Sequence, residues 1–278
     1  MRFAAIAFPA IDPIAFTVGP FAVRWYGIAY LLGFLGAYLV LRFLVSRWRL
    51  NLSEDDLLNI ILAAVIGVVV GGRLGYVTFY GDGYYWSHPA QIPALWDGGM
   101  SFHGGLVGIM VAGAFVAFFM RIPWLTLCDL GSVGAPIGLF FGRLANFVNQ
   151  ELWGRVTTVP WGVIFPAAGP SPRHPSQLYE ALLEGVVLFI VMLVLGARRD
   201  PLPRGVLLGV LLSLYGTFRI SVEFLREPDV QVGFLPGGIT MGQVLSVPLV
   251  ICGIALIVWS LWRDLPEKGR PRDAKASD

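Results

Sequence analysis

Seven apolar runs, most of them near 20 residues, govern what this chain can fold into. They are Trp25 to about Val45, about Leu57 to Tyr80, about Gly104 to Met120, roughly Leu125 to Asn149, about Gln177 to Leu195, about Gly205 to Phe224 and about Met241 to Trp262. About 20 helical residues cross the hydrocarbon of a bilayer, and in lipid a helix can satisfy its own backbone polar groups. The composition agrees: only 14% of the 278 residues are charged, against about 25% in a soluble domain. The expected fold is an all-α membrane protein, a polytopic bundle of about seven transmembrane helices. Residues 1–263 are read as one seven-span transmembrane catalytic domain, with 151–176, too long for a simple turn, a periplasmic connection or small subdomain. The charged, Pro-containing tail 264–278 is expected to be disordered. Residues 1–23, broken by Pro9, Pro13 and Pro20, are expected to lie at the interface, without a cleavable signal peptide. Ser53, ahead of Glu54-Asp55-Asp56, is the expected N-cap of the second span.

The basic residues set an orientation. Arg42, Arg47 and Arg49, then Arg121, then Arg198, Arg199 and Arg204, then Arg263, Lys268, Arg270, Arg272 and Lys275 follow spans one, three, five and seven. The intervening connections hold few cations: none in 81–100, then Arg155 and Arg173, then Arg226. Positive residues favour the cytoplasmic side, so the N-terminus is expected outside and the C-terminus in the cytoplasm. Gly67, Gly71 and Gly75, and again Gly104 and Gly108, recur at four-residue spacing. Such glycines let helices approach closely in lipid and are read as packing.

With this topology the polar residues converge on one leaflet. Arg24 and Tyr26 start span one, His103 starts span three, and Arg143, Asn146 and Glu151 end span four. His174 starts span five, and Arg219, Glu223 and Arg226 end span six on one face. In the run Phe141–Arg155, Arg143, Asn146 and Gln150 sit at i, i+3 and i+7, on one helix face. Cations and amides within a membrane helix face a cavity, a partner or a ligand; the competing reading is an interhelical polar clamp. Arg presents a planar fork that matches phosphate oxygens, which suits an anionic lipid headgroup. Glu223 either orients Arg219 or makes an ordinary intrahelical ion pair. His103 is either a general base or a hydrogen-bonded structural histidine, and the glycines beside it leave room for a ligand. His174 is a binding residue or a helix cap, and Tyr26 a substrate contact or an aromatic-belt residue.

Other chemistries fit poorly. Ser101 and His103 stand at i and i+2, which do not face each other on a helix, and no nucleophile-elbow motif surrounds Ser101. His88, Asp97 and His103 lack metal-ligand spacing. Cys128 and Cys252 lie in apolar segments and form no disulfide or metal pattern, Cys128 beside Asp129 reading as packing. No cofactor motif is present, and the basic tail suits lipid headgroups better than nucleic acid.

Gly142-Arg143-Leu144-Ala145-Asn146-Phe147-Val148-Asn149-Gln150-Glu151-Leu152-Trp153-Gly154 resembles the signature of the bacterial prolipoprotein diacylglyceryl transferases. Trp25–Gly27, Gly98–Gly105, His174–Glu180 and Arg219–Asp229 resemble further blocks of that family, in family order. The resemblance implies a seven-span enzyme of the bacterial inner membrane. It would move the diacylglyceryl group of phosphatidylglycerol onto the lipobox cysteine thiol of a prolipoprotein signal peptide, forming a thioether and releasing glycerol phosphate. It also implies His103, Arg143 and Arg219 as catalytic, and Tyr26, Asn146, Glu151, His174, Glu223 and Arg226 as substrate-binding. The alternative is a transporter or flippase for an anionic lipid or solute, although no inverted repeat is evident.

Overall fold

The computed structural model describes residues 5–19, 21–198, 200–228 and 233–267. Seven helices among them are long and apolar enough to cross a membrane. These are α1 (Trp25–Arg47), α2 (Glu54–Phe79), α3 (Phe102–Met120), α4 (Trp124–Val148), α5 (Ser176–Gly196), α6 (Val206–Glu223) and α7 (Met241–Arg263). The protein is therefore a mostly helical, multi-pass membrane protein. Four short strands qualify the all-α expectation. β1 (Ile6–Ala7) pairs in parallel with β4 (Val163–Ile164), and β2 (Ile14–Val18) pairs antiparallel with β3 (Phe21–Arg24). The expected charged tail falls mainly outside the described residues, as do Arg199 and Asp229.

The chain divides into two compact units, Met1–Leu41 with Asp129–Pro266, and Arg42–Cys128 with Glu267–Asp278. In the second unit, α2 starts on a capping box. The Ser53 hydroxyl accepts from the Asp56 amide at 3.1 Å, and the Asp56 carboxylate accepts from the Ser53 amide at 2.9 Å. This satisfies two donors that a helix start otherwise leaves open. The glycines of α2 and α3 then bring two backbones together. A Cβ on Gly108 would lie 1.9 Å from the Gly67 carbonyl oxygen, and one on Gly71 would lie 2.4 Å from that of Gly104. Any side chain there would force the helices apart.

In the first unit, Asp129 is fully buried and starts another helix. Its carboxylate accepts from the amides of Gly205 and Leu208, the latter at 2.6 Å. Asp129 thus caps α6 from across the unit, a more specific role than the packing expected of its neighbourhood. Gly209 and Gly253 let α6 and α7 approach, each Cβ position lying within 2.7 Å of the other's carbonyl oxygen. The 151–176 connection is an ordered layer. β1 lies along it, and Phe8 packs its ring against Phe147 and Phe165, with centroids 5.3 and 5.6 Å away.

Candidate functional site

The end of α4 is shaped by two unusual backbone positions. The helix stops at Val148, and Gln150 (φ 54°) and Leu152 (φ 56°) both adopt left-handed backbone, which non-glycine residues rarely do without a structural demand. Gln150 consequently leaves the helix face expected for it, and its side-chain oxygen accepts from the Ala167 amide at 3.2 Å. Arg143 and Asn146 remain on the helix. Asn146 donates to Glu151 at 3.2 Å, and Asn149 donates to the same carboxylate at 3.4 Å. The amides thus orient Glu151 locally, and its own carbonyl accepts from the buried Gln177 side chain.

A few residues on, three segments meet with no space between them. Gly154 donates to the His174 carbonyl at 2.8 Å, and Arg155 donates through its amide to Leu225 at 2.8 Å. A Cβ on Gly154 would sit 2.6 Å from atoms of both His174 and Leu225. The Arg155 side chain donates to the carbonyls of Arg226 (3.0 Å) and Glu223 (3.2 Å), satisfying the end of α6. Arg173 donates to the Gly154 carbonyl (3.1 Å) and to Glu227 (3.0 Å).

Beneath this layer lies a charged cluster built by α4, α5 and α6. Glu180 and Glu184, both on α5, are wholly buried. The Arg143 guanidinium meets Glu184 at 3.0 Å and Glu180 at 3.2 Å. The other Glu180 oxygen accepts from Arg219 and lies 3.3 Å from Arg226. Arg219 also pairs with Glu223 one turn along α6. The second oxygen of Glu223 accepts from Thr240 at 2.6 Å, at the N-cap of α7. Three guanidiniums therefore face three carboxylates. Buried charges demand such pairing, because an uncompensated ion in a low-dielectric interior is far more costly than a paired one. The pairing also fixes the forks in space. Every Arg143 nitrogen meets a carboxylate oxygen, Nε and Nη2 that of Glu184 and Nη1 that of Glu180, and the side chains of Arg143 and Arg219 keep 14% and 13% of their surface exposed. Glu184 Oε1 is buried and has no hydrogen-bond partner among the described residues. A π-helical turn, Ala181–Val187, begins immediately after Glu180; such turns mark local rearrangement of a helix face.

The structure thus gathers Arg143, Arg219, Glu223 and Arg226 into one network and places Asn146 and Glu151 together at the end of α4. His174 belongs to the layer above. Its Nδ1 lies 3.2 Å from the Tyr179 hydroxyl, which accepts from Trp161 at 2.7 Å, and burial pushes the imidazole below its usual range. Tyr26 stands on the first turn of α1 with its ring 5.3 Å from Tyr30. His103 belongs to the second unit, exposed on the first turn of α3 and lining an open groove of about 900 Å³ between α2 and α3. Gly104 lines the same groove as His103. Gly104 is used against α2, where its Cβ would meet the Gly71 oxygen at 2.3 Å, and Gly105 faces Val68. Ser101 caps α3, accepting from the Gly104 amide at 3.2 Å. Among the described residues no group of His, Cys, Asp and Glu is arranged to hold a metal.

Several central residues carried no assignment in the sequence. Gln177, Glu180 and Glu184 stand at i, i+3 and i+7 in an otherwise apolar span, a spacing that puts two acids on one face. Thr240 and Arg155 act through contacts distant in sequence, and Arg73 is a buried cation inside α2.

Seven apolar helices with a charge-balanced Arg–Glu cluster buried among three of them define a multi-pass membrane protein built around a polar intramembrane site. The chain belongs to the prolipoprotein diacylglyceryl transferase family, whose model matches residues 13–259. It is 51% identical over 251 residues to the phosphatidylglycerol–prolipoprotein diacylglyceryl transferase of Geobacter sulfurreducens, covering 90% of this chain and 96% of that protein. Proteins of the same name from Brucella ovis and Brucella melitensis are 52% identical over 268 residues, covering 93% of this chain and 94% of theirs. The transporter alternative finds no support among these relatives.

Proposed function

We propose that this chain transfers the diacylglyceryl group of phosphatidylglycerol to the lipobox cysteine thiol of a prolipoprotein, at the outer leaflet of the bacterial inner membrane. The sulfur forms a bond to the glycerol carbon that bears the phosphate. The carbon–oxygen bond breaks, and glycerol phosphate leaves with the electron pair. Substrate supplies the nucleophile, so the protein's work is to hold the phosphate, stabilise its departure and take the thiol proton.

Arg143 and Arg219 meet the phosphate from the part of each side chain that stays exposed, sharing their guanidiniums with Glu180, Glu184 and Glu223. The observation that carries this reading is that one buried carboxylate, Glu180, joins guanidiniums from two helices. Donors fixed in advance need no reorganisation as charge develops on the leaving group. Arg226 completes the cluster, and Asn146 and Glu151 shape the headgroup end. Tyr26 and His174 position headgroup or peptide. His103 accepts the thiol proton, directly or through water, because the thiolate is the reactive form. The distribution of arginines supports an outward N-terminus, with the connections after α1, α3, α5 and α7 in the cytoplasm.

The test combines purified protein, phosphatidylglycerol and a lipobox peptide, and reads peptide mass and glycerol phosphate release. A diacylglyceryl mass gain in wild type that is lost in Arg143→Ala is expected. A mass gain retained in Arg143→Ala would remove Arg143 from the site. His103→Gln with near-normal turnover and a flat pH profile through neutrality would remove His103 as the base.

A further inference from the structure

Arg73 lies in the middle of an apolar helix, yet its side chain is spent on one loop. It is 4% exposed. Its guanidinium donates to four backbone carbonyls: Nε to Ile92 (2.6 Å), Nη1 to Gly98 (2.5 Å) and Gly99 (3.1 Å), and Nη2 to Gln91 (2.8 Å). The rings of Tyr85 and Tyr76 stand 5.1 and 5.9 Å from its central carbon, within cation–π range. The preceding residue continues the attachment, since the Gly72 carbonyl accepts from the Ser101 amide at 2.8 Å. Ser101 then caps α3, and His103 follows on its first turn. The segment 91–101 is therefore tied to α2 at both ends, through Gln91 and Ile92 and through Gly98, Gly99 and Ser101. One turn of α2 dictates its path, and that path fixes where α3 begins.

The loop is shaped to accept this. Gly98 and Gly99 have φ of 79° and 80°, left-handed values that a side chain disfavours. A Cβ on Gly99 would lie 2.4 Å from the Tyr76 ring. Both glycines turn their carbonyls onto the same Nη1. Only a planar fork reaches carbonyls on three sides from three nitrogens; a lysine ammonium is a single point charge on a flexible stem.

We infer that Arg73 is a positioning residue for His103: by gathering the carbonyls of Gln91, Ile92, Gly98 and Gly99 it sets the start of α3 and hence the placement of the imidazole. The inference rests on the reading of His103 as the group that meets the substrate thiol. Misplacement of a reacting group by about 1 Å lowers rate by about a hundredfold, whereas lipid held elsewhere keeps its affinity.

The experiment compares wild type with Arg73→Lys and Gly99→Ala in phosphatidylglycerol-containing micelles. It reads kcat, the KM for lipid, and amide hydrogen exchange by peptide. Both variants are expected to lose roughly ten- to a hundredfold in kcat with lipid KM within about twofold. Exchange should rise in 91–101 and stay unchanged in α4, α5 and α6. Gly99→Ala displaces the loop from its own side, so it keeps the test valid where Arg73→Lys fails to fold. Raised loop exchange with unchanged kcat in either variant would overturn the inference, as would a kcat loss with no change in loop exchange. His103→Gln runs alongside. If that variant turns over normally, the reading of His103 fails, while the loop-exchange result still reports whether Arg73 anchors 91–101.

Discussion

Glu180→Gln tests the charged cluster most directly. The substitution keeps size and shape but removes one of three buried negative charges, leaving the cluster at a net charge of +1. Glu180 is wholly buried and contacts Arg143 (3.2 Å), Arg226 (3.3 Å) and Arg219. A hydrogen bond to a charged group contributes about 1.5–3 kcal/mol and a neutral one about 0.5–1.5, so three contacts lose roughly 3 kcal/mol. Removing one partner of a buried ion pair costs about 3–5 kcal/mol, and the two routes agree. At about 2–4 °C per kcal/mol for a chain of this size, Tm in uncharged maltoside micelles should fall by roughly 6–20 °C. The lipid dependence is more diagnostic. If phosphate sits against Arg143 and Arg219, the phosphate of phosphatidylglycerol supplies the missing negative charge. Added phosphatidylglycerol should then raise the variant's Tm more than the wild type's, while diacylglycerol, with the same chains and no phosphate, should not. Turnover should fall at least tenfold. Equal rescue by both lipids would refute phosphate binding at these guanidiniums, and an unchanged Tm would refute the ion-pair network itself.

Three other substitutions probe the surroundings. Gly154→Ala places a methyl group 2.6 Å from His174 and Leu225 atoms, so it should abolish activity and lower Tm; a fully active variant would show that these segments are not in contact. Thr240→Val removes both the 2.6 Å hydrogen bond to Glu223 and the N-cap of α7. About 2–3 kcal/mol should be lost from the charge-assisted bond and cap together, with Thr240→Ser largely restoring Tm; equal losses in the two variants would exclude the hydroxyl as the cause. For His174, burial lowers the folded pKa, so the unfolded chain takes up a proton first. Stability is therefore full above about 6.5 and is lost as pH falls through that value toward the folded pKa. Tm measured from pH 8 to 5 should fall less for His174→Gln than for wild type, and parallel curves would show that His174 does not contribute.

What could be read in the sequence divides along a physical line. The spans were legible because lipid imposes a length and a composition on every crossing helix. Ser53 as a cap and the α2–α3 glycines were legible because a capping box and a four-residue repeat are local patterns. Arg219, Glu223 and Arg226 fell on one face, and they do meet. Glu180 and Glu184 also share a face, but their spacing does not say that their partner is Arg143 on another helix. Gln150 does not share a face with Arg143 because the helical period ends at Val148, beyond which the chain turns left-handed at Gln150 and Leu152. Arg73 was out of reach for another reason. Its partners are carbonyls of an irregular loop, and carbonyls leave no mark in a sequence.

The two halves of the proposed chemistry are secured by different means, and this follows from the charges involved. Arginines meant for a phosphate cannot wait alone in an apolar interior, so α5 and α6 supply one carboxylate for each of Arg143, Arg219 and Arg226. The result is neutral without lipid, yet the Arg143 and Arg219 side chains keep part of their surface exposed. In the proposed reading a lipid phosphate approaches that exposed surface and shares the guanidiniums with the carboxylates already on them. The histidine needs no such balance, because it is not enclosed in an apolar interior. It can sit at an exposed helix start, provided the backbone leading to it is held. Arg73 holds that backbone with carbonyl dipoles, which fix position without adding a second negative charge near a thiol that must become a thiolate. Adding a carboxylate beside these anchors, as in Gly98→Asp, which keeps the backbone carbonyl, should therefore slow the reaction even where the loop keeps its path. Turnover measured against loop exchange separates the two effects: normal exchange with normal kcat would show that local negative charge is tolerated and that carbonyl anchoring carries no electrostatic advantage.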